Sequence, residues 1–186
     1  AYYLARHGIG APFHLYLNKK IDKPDLKGLK IRVTPVYRAF FEKLGATAMQ
    51  TPPGEVYTAL ERGVVDGYGW PTQGILDLGW QEVTKYRVDP PFYNVEVNIL
   101  VNLDTWNGLS KEQKDFLVGM GLWVESLDAE NAAINEEEKR LQAEAGIKAI
   151  TFTPEENEWY IKTAYEAGWA SAVSYTHLRA HETKAN

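Results

Sequence analysis

The chain has 186 residues, 45% of them hydrophobic and 24% charged, enough for one or two globular domains with a true core. Its formal net charge of -5 argues against a general grip on nucleic acid or anionic lipid, so any positive site has to be local. Cysteine is absent, which removes disulfides, thiolate metal sites and cysteine nucleophiles, and no apolar run approaches the roughly 20 residues that span a bilayer.

The opening segment AYYLARHGIGAPFHLYLNKK carries no charged and then apolar leader pattern, and it alternates Phe13, Leu15 and Leu17 with His14 and Tyr16 as a strand does. It reads as a piece that starts inside a fold. GIGAPF lacks the third glycine of a phosphate-cradling loop and is read as a tight turn. From Gly28 the pattern becomes clear: Leu29, Ile31 and Val33 alternate with Lys30 and Arg32, and Thr34-Pro35 ends the strand. Val36, Phe40 and Leu44 then share a helical face that Gly45 closes. ATAMQ is a short strand, and TPPGEVYTALERG opens on prolines and turns Val56, Ala59 and Leu60 one way as a second helix. VVDG reads as a third buried strand, so residues 29 to 67 spell βαβαβ.

Helical crossovers of this length give parallel strands, whose ligands sit beyond the carboxyl ends. On that rule Arg32, the stretch from Thr51 to Pro53 and the stretch from Asp66 to Trp70 meet at one edge. Further on, QGILDLGW is a short helix candidate, and Asp89-Pro90-Pro91 marks a loop. Val95, Val97, Ile99, Val101 and Leu103 alternate as a half-buried strand. Ser110 and Gln113 form a capping box before a helical pattern that runs to Gly146, about 50 Å at 1.5 Å per residue, with a break expected near Gly119 and Gly121. IKAITF is a strand, and Thr153 to Glu156 caps a last helix. The tail SYTHLRAHETKAN departs from that helix's periodicity and is read as non-native sequence. Its His177 and His181 have ligand spacing without a metalloprotease glutamate, so no metal site is expected.

Arg32 is the sharpest chemical candidate, because guanidinium is a planar donor matched to a carboxylate and stays charged. Its plainer alternative is a solvent-facing strand residue that balances Lys30. Trp70, between Gly69 and Pro71, suits a rigid wall for a ligand's carbon skeleton, or an ordinary core aromatic. Asp66 could serve as a base, but Asp-Gly favours a turn, and Glu55 sits where a helix dipole welcomes a negative charge. No nucleophile elbow is present. Binding fits these residues better than catalysis.

Three stretches, DLKGLKIRVTP, FFEKLGATAMQTPPGEVYTALERGVVDGYGWP and LVNLDTWNGLSKEQKDFL, resemble the solute-binding subunits of tripartite ATP-independent periplasmic (TRAP) transporters. The resemblance implies an α/β, periplasmic-binding-protein-like two-lobe clamshell, here incomplete, with a βαβαβ second lobe and a long lobe-bridging helix. It divides the chain into partial first-lobe strands and crossover (1–28), the second lobe (29–94), a return strand with bridging and terminal helices (95–173), and the tail (174–186). It implies a periplasmic protein that binds a small organic acid and delivers it to an ion-gradient-driven TRAP permease, with no catalysis, cofactor, nucleic acid or membrane insertion. The family's substrate-pairing arginine falls on Arg32 and its pocket position before the proline on Trp70, while Phe13, Pro53 and Phe92 approach the same cleft. The alternative kept open is an enzyme of the same fold that uses Asp66 or Glu55 as base. Missing lobe mass implies exposed apolar surface.

Overall fold

A computed structural model describes residues 1–94 and 96–182, with residues 175–182 described by their backbone alone. Its centre is a seven-stranded mixed sheet ordered β4-β3-β5-β2-β6-β9, with β7 also paired to β2. The strands are β2 (Pro12–Leu17), β3 (Lys30–Val33), β4 (Thr47–Gln50), β5 (Gly67–Pro71), β6 (Tyr86–Asp89), β7 (Tyr93–Asn94) and β9 (Lys148–Thr151). β3 runs parallel to β4 and β5, β6 runs parallel to β9, and β2 is antiparallel to β5, β6 and β7. Because both faces of β2 are covered, Leu15, Tyr16 and Leu17 are all buried.

The expected βαβαβ unit is present. Helix α1 (Pro35–Lys43) begins at the proline read as the end of the strand and buries Tyr37, Phe40 and Phe41, so Val36, expected on the buried face, is instead exposed, while α2 (Val56–Glu61) buries Val56, Ala59 and Leu60 as expected. On one face, Leu15, Leu17, Ile31 and Val33 pack with α1 and with Tyr160 and Ala164 of α6 (Pro154–Glu182). On the other, Tyr16, Tyr68 and Trp80 pack with α2.

The third strand is a correction. It occupies Gly67–Pro71 rather than VVDG, which forms the approach to it. Glycine is a poor strand former, so the sequence points upstream, but these two glycines serve close packing. A Cβ on Gly67 would lie 2.3 Å from the Tyr16 carbonyl oxygen, and one on Gly69 would lie 2.7 Å from the Tyr37 ring.

Beyond the sheet, QGILDLGW folds as turns leading into a 3-10 turn at Trp80–Val83 instead of a helix, with Gly79 left-handed at φ 70°. β8 (Val97–Val101) pairs with β1 (Tyr2–His7) in a separate antiparallel ribbon. It is shorter and more exposed than the expected half-buried strand. Leu103 opens α3 (Leu103–Gly108), because the Asn102 side chain accepts from the backbone N–H groups of Asp104 and Thr105. Val95 lies outside the described residues.

The capping box of Ser110 and Gln113 starts α4 (Lys111–Ser126) as predicted. The helical path breaks at a 3-10 turn, Leu127–Glu130, before α5 (Asn131–Glu144), and not near Gly119 and Gly121. Gly121 is instead where α4 touches β1, since a Cβ there would meet Ala5 Cβ at 3.1 Å and the Leu4 carbonyl oxygen at 3.2 Å. Thr153 and Glu156 cap α6 reciprocally, and its backbone stays helical to Glu182, into the stretch read as tail. The side chains of His177 and His181 lie outside the described residues. Among those described, no cluster could hold a metal ion, and no helix is long and apolar enough to cross a membrane.

Candidate functional site

Arg32 is the second-last residue of β3, and it is only 3% exposed. The solvent-facing alternative is therefore overturned. The sheet is covered on the Arg32 face as well as on the Ile31 and Val33 face, so alternation here separates two interiors rather than core from water. Arg32 Nε donates to the Thr51 carbonyl at 2.9 Å, and Nη1 donates to the Tyr37 hydroxyl at 3.4 Å. The Tyr37 hydroxyl in turn donates to the Gly69 carbonyl at 2.7 Å. Among the described residues, no carboxylate forms an ion pair with Arg32.

Trp70 lies within β5, two residues past the Tyr68 that registers with Arg32. The guanidinium carbon lies over the Trp70 ring, 5.4 Å from its centroid, so arginine and indole are direct neighbours. Such a contact contributes about 0.5–2 kcal/mol, more as water is excluded. Trp80 meets Trp70 at an angle of 62° with centroids 4.8 Å apart.

The remaining predicted residues divide. Pro53 opens the exposed turn Pro53–Glu55 just after Thr51. Phe13 is half-buried, with its ring 6.0 Å from that of Tyr37. Phe92 is buried among Tyr37, Phe40 and Phe41, with centroids 5.0–5.5 Å away. Tyr37, missed as a site residue, joins these rings to the arginine. Burial pushes its phenol up from the ordinary value, while Thr34 and Arg32 pull it back part of the way. The one signal that could have found it is Gly69, a strand glycine that leaves room for a ring.

The edge expected at the carboxyl ends of the strands thus includes Arg32, Thr51 and Trp70, but not Asp66. Asp66 precedes β5 and lies at the opposite end of the sheet, where Oδ2 accepts from the Lys30 backbone N–H at 2.9 Å and Oδ1 accepts from Lys19 Nζ at 2.6 Å. Burial works to raise its carboxyl, but the Lys19 and Lys30 hydrogen bonds outweigh burial and the net shift is downward. An ionised, doubly held carboxylate is a poor base. Glu55 is exposed on its turn.

A second polar group lies beneath this edge. His14 Nδ1 is 2.9 Å from both the Val88 carbonyl and Asp89 Oδ1, and Arg87 holds Asp89 through Nε and Nη2 at 3.1 and 2.9 Å. Burial opposes ionisation of Asp89, yet His14 and Arg87 hold its carboxyl well below the ordinary range. Gln142 of α5 accepts from Arg87 at 2.9 Å and donates to the Thr72 carbonyl at 2.7 Å. This group ties α5 to the sheet. An apolar groove of about 670 Å³, lined by Pro35, Val36, Tyr93, Tyr165 and Trp169, does not include Arg32.

The comparisons with known proteins agree with this architecture. The chain is 33% identical over 112 residues to a monocarboxylate 2-oxoacid-binding periplasmic protein of Nostoc sp., covering 57% of this chain and 30% of that protein. It is 31% identical over 167 residues to a C4-dicarboxylate-binding periplasmic protein of Rhodobacter capsulatus, covering 86% of this chain and 47% of that one. It thus spans less than half the length of these curated relatives. A TRAP periplasmic solute-binding protein from Desulfovibrio salexigens, with bound orotic acid, has the same fold: the TM-score is 0.84 at 24% identity, over 97% of this chain and 59% of that one. A second, from Anaerococcus prevotii with bound D-glucuronate, gives a TM-score of 0.76 at 26% identity, over 91% and 55% of the two chains. The expected α/β fold class, an incomplete form of the solute-binding clamshell, therefore holds. Residues 13–173 match the pattern of the bacterial extracellular solute-binding proteins, family 7, and the chain belongs to that family.

Proposed function

We propose that the chain forms one side of a binding site for a small organic acid, with Arg32 as the charge anchor. The observation that carries this reading is an arginine 3% exposed, bonded among the described residues only to neutral groups, at the carboxyl edge of a parallel strand pair. A buried cation without a counter-charge costs several kcal/mol, and a carboxylate ligand offsets that cost when it arrives. The names of the relatives point the same way, since they bind 2-oxo acids and C4-dicarboxylates.

On this reading the protein acts in the periplasm, hands its ligand to the membrane subunits of a TRAP transporter, and performs no chemistry. On the same reading the sheet with α1, α2, α5 and α6 is one lobe and the β1–β8 ribbon with α3 and α4 belongs to the other, a division that takes β2 out of the expected first-lobe segment 1–28 because it pairs with β5 and β6. Trp70, Phe13, Pro53 and Phe92 complete the arginine's surroundings, and no cofactor is required. The enzyme alternative has lost its better base, because Asp66 is held at the far edge of the sheet.

The test is calorimetric titration of the chain with 2-oxo, 2-hydroxy and dicarboxylic acids. At least one acid binds, and Arg32→Ala weakens it by about 100-fold or more, the loss of two charged hydrogen bonds. Unchanged affinity in Arg32→Ala would remove the anchor assignment. Turnover of a bound acid would instead favour the enzyme.

A further inference from the structure

We propose that Tyr37 is the positioning residue for Arg32: its hydroxyl links the guanidinium to the β5 backbone and holds it in one orientation before any ligand arrives. This rests on the reading of Arg32 as a carboxylate anchor. The geometry fixes the guanidinium on three sides. Nε is bonded to the Thr51 carbonyl at 2.9 Å, Nη1 reaches the Tyr37 hydroxyl at 3.4 Å, and one face lies over Trp70 at 5.4 Å. One Nη1 N–H and both Nη2 N–H groups have no partner among the described residues, and these are the donors a carboxylate can take.

Tyr37 is itself held firmly. Its hydroxyl donates to the Gly69 carbonyl at 2.7 Å, and its ring is packed by Phe13, Phe41 and Phe92 with centroids 5.5–6.0 Å away. Only a glycine at position 69 lets that ring lie so close to β5, since a Cβ would approach it to 2.7 Å. The aromatic residues around the site therefore have a shared purpose that the sequence does not disclose. Phe13 and Phe92 brace Tyr37, Tyr37 and Trp70 brace Arg32, and only Arg32 is left to meet the ligand's charge. An arginine ordered in advance does not spend binding energy on freezing its own rotamers.

The test is side-chain NMR on the full chain labelled with 15N-arginine, with the Arg32 signals identified by their loss in Arg32→Lys. In the ligand-free protein, rotation about the Arg32 Nε–Cζ bond is slow, and Tyr37→Phe speeds it by about 3- to 10-fold, the loss of one hydrogen bond. Phe152→Leu, which trims a buried ring packed on Tyr160 and not on Tyr37, is the control for loss of core packing and leaves that rotation unchanged. An unchanged rate in Tyr37→Phe, or an equal acceleration in Phe152→Leu, overturns the proposal.

Affinity supplies the second arm. Tyr37→Phe weakens the best-bound acid by about 2- to 10-fold, and has no further effect in an Arg32→Lys background. An equal loss in that background means Tyr37 acts on its own and overturns the proposal. If no acid moves the Arg32 signals in any variant, the carboxylate reading fails, and the rotation rate still decides whether Tyr37 positions the arginine.

Discussion

Arg32 combines two properties that pull against each other: it is buried, and among the described residues it is paired with neutral oxygens alone. A cation in that setting is retained at a cost to stability, so removing its charge should separate stability from binding. Arg32→Met is expected to keep or raise the melting temperature, by up to about 2 kcal/mol in unfolding free energy, while acid binding in the same sample disappears. A clear fall in stability would mean that the Thr51 and Tyr37 contacts outweigh desolvation. Gly69 makes the complementary case. Gly69→Ala should destabilise by about 1–3 kcal/mol in denaturant unfolding and weaken acid binding too, because the new Cβ displaces the ring that braces the arginine. The sequence made Arg32 visible through its residue type and its place near a strand end. Its burial was not visible, because alternation says which residues share a face and not whether that face is wet.

Among the elements, α5 is unusual in docking through polar groups. Asn131 donates to the Ile9 carbonyl at 2.8 Å, Asn135 donates to the Gly10 carbonyl, and Gln73 donates to both asparagines. Gln142, 0% exposed, closes the series with Arg87 and Thr72. Asn131, Asn135 and Gln142 sit at helical spacing, yet a search for apolar stripes passes over them. Asn135→Leu leaves the Gly10 carbonyl and the Gln73 amide short of partners, and should cost about 1–3 kcal/mol in chemical unfolding. A neutral result would show that α5 is held by other contacts. The 3-10 turn before α5 escaped the sequence reading for a related reason: residues 127–130 contain neither glycine nor proline, and the break falls where α4 leaves the β1–β8 ribbon and α5 reaches the sheet.

For the molecule as a whole, buried titratable groups set the pH range of stability. Asp89 and Asp66 have carboxyls below the ordinary 3.8, so the stability they contribute is present above that value and is lost as pH falls through their folded values. Tyr16, Tyr37, Tyr68 and Tyr160 have phenols raised above 10.0 by burial, so their contribution is intact below that value and is lost as pH climbs through the raised ones. Urea midpoints should form a plateau that falls at both ends, and Asp89→Asn should lower the plateau while flattening the acid limb. An acid limb unchanged by that substitution would assign acid sensitivity to other groups. The ribbon and α4 also expose Val97, Leu100, Phe116, Leu122 and Trp123, each 55–65% accessible. A Phe116→Glu, Leu122→Lys pair should lower the fluorescence of a hydrophobic dye and reduce concentration-dependent light scattering. Unchanged signals would mean that this exposed surface drives neither dye binding nor association.

The sequence by itself determined the α/β class, the βαβαβ unit, both capping boxes and the arginine, because these depend on short-range periodicity, turn chemistry and residue type. Tertiary structure alone decided where β5 begins, that Trp70 lies under Arg32, and that Asp66 belongs to the opposite edge. It also brought Tyr37 into the site. Each of these depends on what a residue meets across the sheet, and the glycines that permit such meetings look, in one dimension, like places where a strand should stop.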